Sequence, residues 1–182
     1  MPRLRILNAT EREAYDKPPA LKAAERRQAF DLPTSLLELT TTVGDPAQQI
    51  GLLVSAAYFA TARRLIPPRD YRERDVAHAA RQLRLPAEQF APERYAASAR
   101  HRHKLAILEA HGMRRLNRES VAELLVDIEA MAAIHLRPKL IFMRCLDLLA
   151  QRRIQLPSEY RLTALIASAL ARRKRELVER VE

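Results

Sequence analysis

Apolar residues recur at intervals of three and four along much of this 182-residue chain, which is the spacing of one face of an α-helix. The clearest stretch begins at Asp45 and Pro46, a favourable N-cap and first-turn pair, and its apolar positions run on to Tyr58. Asn117 and Pro138 begin two further helices of this kind. The other predicted helices begin near Glu11, Ala20, Asp70, Pro92 and Ser158. The pattern therefore predicts an all-α fold made of multi-helix bundles.

The composition supports helices and excludes several kinds of protein. Three glycines, 5% aromatic residues and no tryptophan leave little material for strands and hairpin turns. A single cysteine excludes an internal disulfide scaffold, and the place of Cys145 on an apolar stripe favours a buried side chain over a nucleophile. The longest apolar stretch, Ile50 to Ala62, is shorter than the ~18 residues of a membrane span. We therefore expect a soluble, cytoplasmic protein without a membrane partner.

Positive charge is concentrated in one part of the chain. The net charge is +10, and residues 94–118 hold seven basic residues against one acid. Basic groups clustered in this way bind DNA phosphates and release condensed counterions. A solvated face without a ligand is the alternative, and the scarcity of acids favours binding. The principal candidates for DNA contact are Arg100, Arg102, His103, Lys104, Arg114 and Arg115.

Other basic residues are second-tier candidates. In residues 69–84, acids alternate with arginines and favour a salt-bridged surface helix, which leaves Arg72 and Arg74 as contacts to the DNA backbone. Arg3 and Arg5 lie in a segment without a helix signal, and we expect a flexible arm that reaches the minor groove. Residues 172–175 end the last helix, where cations also favour the helix dipole.

Two features bear on domain organisation. Residues 75–90 have the order helix, short turn and helix start, which resembles a helix-turn-helix element and is common in helical proteins. A basic loop at residues 113–117 separates two groups of helices. This loop predicts an N-terminal helical DNA-binding domain at 1–112 and a second helical subdomain at 113–182, with one continuous unit as the alternative.

The sequence offers no catalytic pattern. His101 and His103 are two residues apart and point to different sides of a helix, roughly 200° apart. The chain contains neither a His-Glu-x-x-His nor a Cys-x-x-Cys motif, and it has too few glycines for a phosphate-binding loop. We therefore expect a protein that is not an enzyme and that uses no metal and no cofactor.

Several stretches, taken in order, carry a family resemblance. They are residues 1–7 with 10–12, 65–75, 80–86, 100–104 with 107–112, 140–145, 153–157 and 170–177. Their order and spacing resemble the N-terminal region of the large transposases of class II replicative transposons, the Tn-three family. The resemblance covers nearly the whole chain.

The resemblance implies a function in transposition. In that family, a helical N-terminal arm binds double-stranded DNA at the terminal inverted repeats of the transposon, and the remainder of the transposase chain is its partner. The metal-dependent catalytic domain lies much further along, so we expect a non-catalytic fragment in a bacterial, nucleoid-associated location. A protein-interaction or homodimerisation module with only nonspecific nucleic-acid affinity is the alternative. RNA binding is disfavoured, because the chain lacks the clustered aromatics of a strand platform.

Overall fold

Helices account for most of the residues that the structure describes, which are 4–179 in this computed structural model. The helices are α1 Ala9–Asp16, α2 Ala23–Ala29, α3 Thr34–Thr42, α4 Pro46–Ala62, α5 Glu73–Leu83, α6 Ala97–Ala110, α7 Arg118–Ala133, α8 Pro138–Gln151 and α9 Glu159–Glu179. Short 3-10 turns lie at Pro68–Asp70, Ala87–Gln89 and Pro92–Arg94. An isolated bridge pairs Arg114 with Ile154, and residues 4–179 form no β-strand. The predicted all-α fold is confirmed.

The described chain packs as two units. The first is Lys17–Met113, which holds α2 to α6, and the second combines residues 4–16 with 114–179 and so holds α1 and α7 to α9. Residues 4–16 belong with the later helices because Ile6 and Leu7 are buried in the same apolar core as α7, α8 and α9. The units therefore group residues 4–16 differently from the predicted ranges 1–112 and 113–182.

Helix α4 is the centre of the unit Lys17–Met113. As predicted, Asp45 caps it by accepting a hydrogen bond from the backbone N–H of Gln48 at 3.1 Å, and Pro46 occupies the first turn. Every residue from Ile50 to Phe59 is buried, because α2, α3, α5 and α6 pack around the helix. Neither α4 nor any other described helix is both long enough and apolar enough to cross a membrane.

The second unit is built on three long helices. Asn117 caps α7 by accepting a hydrogen bond from the backbone N–H three residues on, at 2.9 Å, and Pro138 begins α8, both as predicted. The core takes Leu124 from α7, Phe142 from α8 and Ile166 from α9. Each of these side chains is at most 1% exposed, so the three helices share one apolar centre.

Arginine and histidine occupy several helix ends where glycine is usual. Arg63 and Arg84 follow α4 and α5 with φ of 57° and 58°, and His135 and Arg153 follow α7 and α8 with φ of 56° and 54°. This left-handed conformation costs a residue with a β-carbon ~1–2 kcal/mol. Gly112, predicted in the same conformation, has φ of 58°.

The segment around α5 and α6 differs from its prediction. Helix α6 begins at Ala97 rather than near Pro92, because residues 92–94 form a 3-10 turn. Residues 75–90 contain most of α5 and a second 3-10 turn, so they hold one α-helix. The connection from α5 to α6 covers residues 84–96 and is longer than the ~3–4 residues of a helix-turn-helix turn.

Candidate nucleic-acid interface

Helix α6 carries the basic cluster predicted from the sequence, and it has a buried side and an exposed side. Ala99 and Ile107 face the core and are 1% and 0% exposed. Arg100 and Arg102 are exposed, and Lys104 is half-buried. These cations therefore lie on a rigid helix whose other side is fixed by the core.

The cations of α6 fall on two sides of the helix. Arg100 and Lys104 are one turn apart and line the same cavity. Arg102 is two residues from each, which places it roughly 200° away around the helix axis. Arg100 and Lys104 therefore place positive charge on one side of α6, and Arg102 places it on the other.

His103, predicted as a DNA contact, is buried. It is 3% exposed, and its Nδ1 lies 2.8 Å from the hydroxyl of Tyr95. Burial, with a smaller contribution from the charge of Arg102, lowers the pKa of His103 to about 4. At neutral pH the ring is therefore uncharged, and Nδ1 and the Tyr95 hydroxyl share one hydrogen bond whose donor is set by the tautomer of the imidazole. Its sequence signal is the four-residue spacing with the buried Ala99 and Ile107.

Arg72 and Arg74, the second-tier candidates, lie at the N-terminal end of α5 and are exposed. The Arg72 guanidinium donates to the carbonyl of Pro18 at 2.9 Å, and the Arg72 backbone N–H donates to the hydroxyl of Tyr58 at 3.1 Å. Arg72 therefore ties the start of this unit to α5. Arg74 presents its charge in the first turn of the helix.

Residues 69–84 were predicted to form a salt-bridged surface helix, but Asp75 of α5 is buried. Its carboxylate is fully buried and pairs with Arg26 of α2, with 2.6 Å between Nε and Oδ1. The hydroxyl of Tyr58 donates to the other oxygen at 2.7 Å. The acid therefore joins three helices, because its partners come from α2 and α4 rather than from its own helix.

Arg114 and Arg115 belong to the second unit, and both are exposed. The backbone of Arg114 forms a two-way bridge: its N–H donates to the carbonyl of Arg153 at 2.6 Å, and its carbonyl accepts from Gln155 at 3.0 Å. The Arg114 side chain also donates to the carbonyl of Arg152 at 3.4 Å. The loop that carries these two cations is therefore fixed to the end of α8.

Arg5 is exposed, but the residues beside it are packed. Ile6 and Leu7 are buried in the core of the second unit, and Leu4 packs against that core. Arg5 is therefore held on the surface of this unit rather than on a free arm. Arg3, the other residue of the predicted arm, lies outside the described residues.

Cys145 is buried, as predicted. Burial, together with the charge of Asp127, raises the pKa of its thiol to about 12, so the nucleophilic thiolate is disfavoured. No group of three or more His, Cys, Asp or Glu side chains within the described residues is placed to hold a metal ion.

Comparison with known proteins identifies a family. No curated protein matches the chain. A family match covers residues 6–169, which includes nearly the whole of both units. The matching domain is found in transposase-related proteins. The chain therefore belongs to the family described as Domain of unknown function (DUF4158).

Proposed function

We propose that this chain is the DNA-binding N-terminal arm of a transposase and recognises the terminal inverted repeats of a transposon in double-stranded DNA. Its occurrence in a family found in transposase-related proteins supports the link to transposition. The observation that carries DNA binding is the exposed charge of α6. Arg100 and Arg102 are exposed on a helix whose sequence holds one acid, Glu109. Phosphate binding favours exposed cations with few acids nearby, and Arg100 and Arg102 meet that condition.

The two sides of α6 suit two kinds of contact. Lys104 is a compact point charge that binds phosphate without reading sequence. Arg102 carries a planar guanidinium that can donate two hydrogen bonds to the major-groove edge of guanine. We therefore assign a phosphate contact to Lys104 and a base contact to Arg102. Each role predicts a different pattern of affinity loss.

The decisive experiment is a paired titration of Arg102→Ala and Lys104→Ala against a terminal-repeat duplex and a scrambled duplex. We expect Lys104→Ala to weaken binding to both duplexes alike. Arg102→Ala should cost about 1–3 kcal/mol on the repeat only. Arg27→Ala, which removes an exposed cation of α2, is the matched control for a lost charge. Equal affinity of the wild type for the two duplexes would refute sequence-specific recognition.

The remaining exposed cations complete the proposed contact set as contacts to the DNA backbone. Arg114, Arg115 and Arg5 contribute backbone contacts from the second unit, and Arg74 contributes one from α5. Two of the predicted contacts already form hydrogen bonds within the protein, Arg72 with the carbonyl of Pro18 and His103 with the hydroxyl of Tyr95. Recognition by α6 needs no helix-turn-helix geometry, because the exposed side of one helix can enter the major groove.

The proposed arm is not catalytic. Two-metal phosphoryl transfer needs converging carboxylates, and in the Tn-three family these residues lie in the distant catalytic domain. We expect no nicking of a plasmid that carries a transposon end when Mg²⁺ or Mn²⁺ is added to the purified chain. Metal-dependent nicking that persists through further purification would contradict this assignment.

A second candidate function is self-association, or docking on the rest of a transposase chain. Large apolar side chains are exposed on α7 and α8 and at the end of α7. They are Val126 at 67%, Ile134 at 72%, Leu140 at 51% and Met143 at 49% exposure. Sedimentation velocity of the wild type and of Leu140→Glu tests this function, which predicts a dimer that the charged variant converts to a monomer.

A further inference from the structure

A cavity of about 350 Å³ lies beside α6 in the unit Lys17–Met113. Ser55 of α4 lines it, together with Ile66 and Tyr71 from the segment before α5 and Tyr95 from the segment before α6. Pockets for small organic ligands have volumes of roughly 300–1,000 Å³, so this cavity suits a ligand at the small end of that range. The duplex contacts proposed above use the surface of α6 and leave the interior of this cavity unassigned.

The aromatic walls of the cavity are held in place by the protein itself. The ring of Tyr71 stacks on Phe90 with 5.7 Å between ring centroids and meets Tyr58 edge-on at 5.5 Å. The hydroxyls of Tyr71 and Ser55 form a short hydrogen bond. Tyr95 is 2% exposed and fixed by its own hydrogen bond to α6. A flat ligand therefore meets walls that are already ordered, which lowers the entropic cost of binding.

Basic side chains of α6 edge the same cavity. Arg100, His101 and Lys104 line it, and its described lining includes neither Asp nor Glu. The charge of Arg100 acts on both phenols: burial raises the pKa of Tyr71 and of Tyr95, and Arg100 partly opposes that rise. The cavity thus combines apolar, aromatic walls with a positive edge. Its chemistry is complementary to a planar ring that carries an anionic group.

We propose that this cavity binds one nucleotide unit, with the base against the partly exposed Tyr71 and Leu65 and the phosphate on Arg100 and Lys104. The hydroxyls of Ser55 and Tyr71 offer donors and acceptors to the polar edge of the base. The ligand is a free nucleotide or an unpaired nucleotide of a DNA strand. The unpaired nucleotide of a strand rests on the DNA binding proposed above. A paired base is excluded, because its partner strand would have to enter as well.

The first test uses free ligands and does not depend on duplex binding. Isothermal titration of the full chain compares 2′-deoxyadenosine 5′-monophosphate with 2′-deoxyadenosine and with inorganic phosphate. We expect the nucleotide to bind about tenfold or more tightly than the nucleoside, since a charge-assisted hydrogen bond to the phosphate contributes at least that factor. It should bind about fivefold or more tightly than inorganic phosphate, because stacking of the base adds to the affinity. Inorganic phosphate binding as tightly as the nucleotide would overturn the role of the base.

Two matched pairs of variants locate the binding. Ala97 lines the cavity whereas Ala96 does not, and both are exposed, so Ala97→Leu should block nucleotide binding and Ala96→Leu should not. Arg100→Gln removes a lining charge and should weaken nucleotide binding about tenfold. Arg27→Gln removes an exposed charge of α2, away from the cavity lining, and should leave nucleotide affinity within about twofold. The arginine pair decides the question if either leucine variant fails to fold.

The second test places the nucleotide in DNA. A duplex with one extrahelical 2-aminopurine should lose fluorescence when the wild-type chain binds, because the base stacks on the cavity walls. The same duplex with the 2-aminopurine paired should keep its fluorescence. The Ala97→Leu variant should still bind the duplex with the extrahelical base but should cause no loss of fluorescence. A signal in the free-ligand test alone identifies a free nucleotide, and a signal in the duplex test alone identifies an unpaired base. The absence of a signal in both tests overturns the proposal. Failure of the chain to bind duplex DNA, taken alone, counts only against the proposed DNA-binding function.

Discussion

The ring of Tyr95 lies so close to the backbone of Gly51 that no β-carbon fits between them. A β-carbon built on Gly51 would lie 2.4 Å from Cδ1, 2.6 Å from Cε1 and 2.9 Å from Cγ of the ring. Gly51 therefore gives Tyr95 its place against α4. Tyr95 in turn holds His103 of α6 through the hydrogen bond at 2.8 Å.

Gly51→Ala should destabilise the protein although alanine is the better helix former. The helix gains about 0.5–1 kcal/mol from the change, whereas overpacking against a buried ring costs about 1–3 kcal/mol or more. We therefore expect a net loss, measured by urea denaturation. Gly44→Ala is the control, because a β-carbon there meets nothing within 4 Å. A stabilised Gly51→Ala variant would show that Tyr95 does not pack on α4.

Asp75→Asn should be strongly destabilising. The change leaves the guanidinium of Arg26, which is 16% exposed, without its anionic partner, and breaking a buried pair costs about 3–5 kcal/mol. Asp70→Asn is the matched change at the surface, where the pair with Arg69 spans 3.8 Å and is largely exposed. That variant should lose under about 1 kcal/mol. Equal denaturation midpoints for the two variants would contradict the buried role of Asp75.

His103 should make the protein less stable as the pH falls. The unfolded chain binds a proton at the ordinary pKa of 6.5, whereas the folded chain binds it only near pH 4. Stability from this group is therefore complete above pH 6.5 and is lost towards pH 4, by up to ~1.4 kcal/mol per pH unit. His103→Gln should flatten the profile of unfolding free energy between these values. His101→Gln controls for loss of an imidazole from α6, and an unchanged His103→Gln profile would refute the assignment.

Arg84→Gly should stabilise the protein, against the usual effect of glycine. Arg84 is exposed and has φ of 58° after α5, where glycine avoids a strain of ~1–2 kcal/mol. Arg81→Gly places the same change within the last turn of α5 and should cost up to about 1 kcal/mol. Thermal or urea unfolding of the pair should therefore give shifts of opposite sign. Two shifts of the same sign would exclude the left-handed conformation at Arg84.

Affinity for duplex DNA should fall steeply with salt. About 4 to 6 phosphate contacts from the basic residues give a slope of roughly −4 to −5 in log K against log salt concentration. Lys104→Ala should reduce that slope by about one unit. Fluorescence anisotropy across a salt series measures this slope. An affinity that does not change with salt concentration would remove the charge argument for DNA binding.

Local chemistry explains which helices the sequence predicts. Asp45 and Asn117 cap α4 and α7 with their own side chains, and Pro138 occupies the first turn of α8, so these starts are visible without tertiary information. Helix α3 has no such signal, because it starts after Pro33 without a side-chain cap and ends in three threonines. It depends on burial of Leu36 and Thr40.

Tertiary partners explain what the sequence did not predict at the candidate site. Asp75 and Arg26 are 49 residues apart, so neither residue reveals that the carboxylate is buried. The basic cluster on α6 was predicted as one set, but burial of His103 and the turn of the helix divide it. The exposure of Arg100 and Arg102 follows from their helical positions, whereas the cavity beside Arg100 requires Tyr71 and Tyr95 from outside the helix.

The order of the two units along the chain has a consequence during synthesis on the ribosome. Ile6 and Leu7 are translated more than a hundred residues before their core partners, which begin at Leu116. At ~5–20 residues per second, these side chains wait roughly 5–20 s for their partners. Lys17–Met113 is complete before then and can fold first as a nested insertion. Until the second unit closes, newly made chains therefore present Ile6 and Leu7 as an exposed apolar segment that a chaperone can bind.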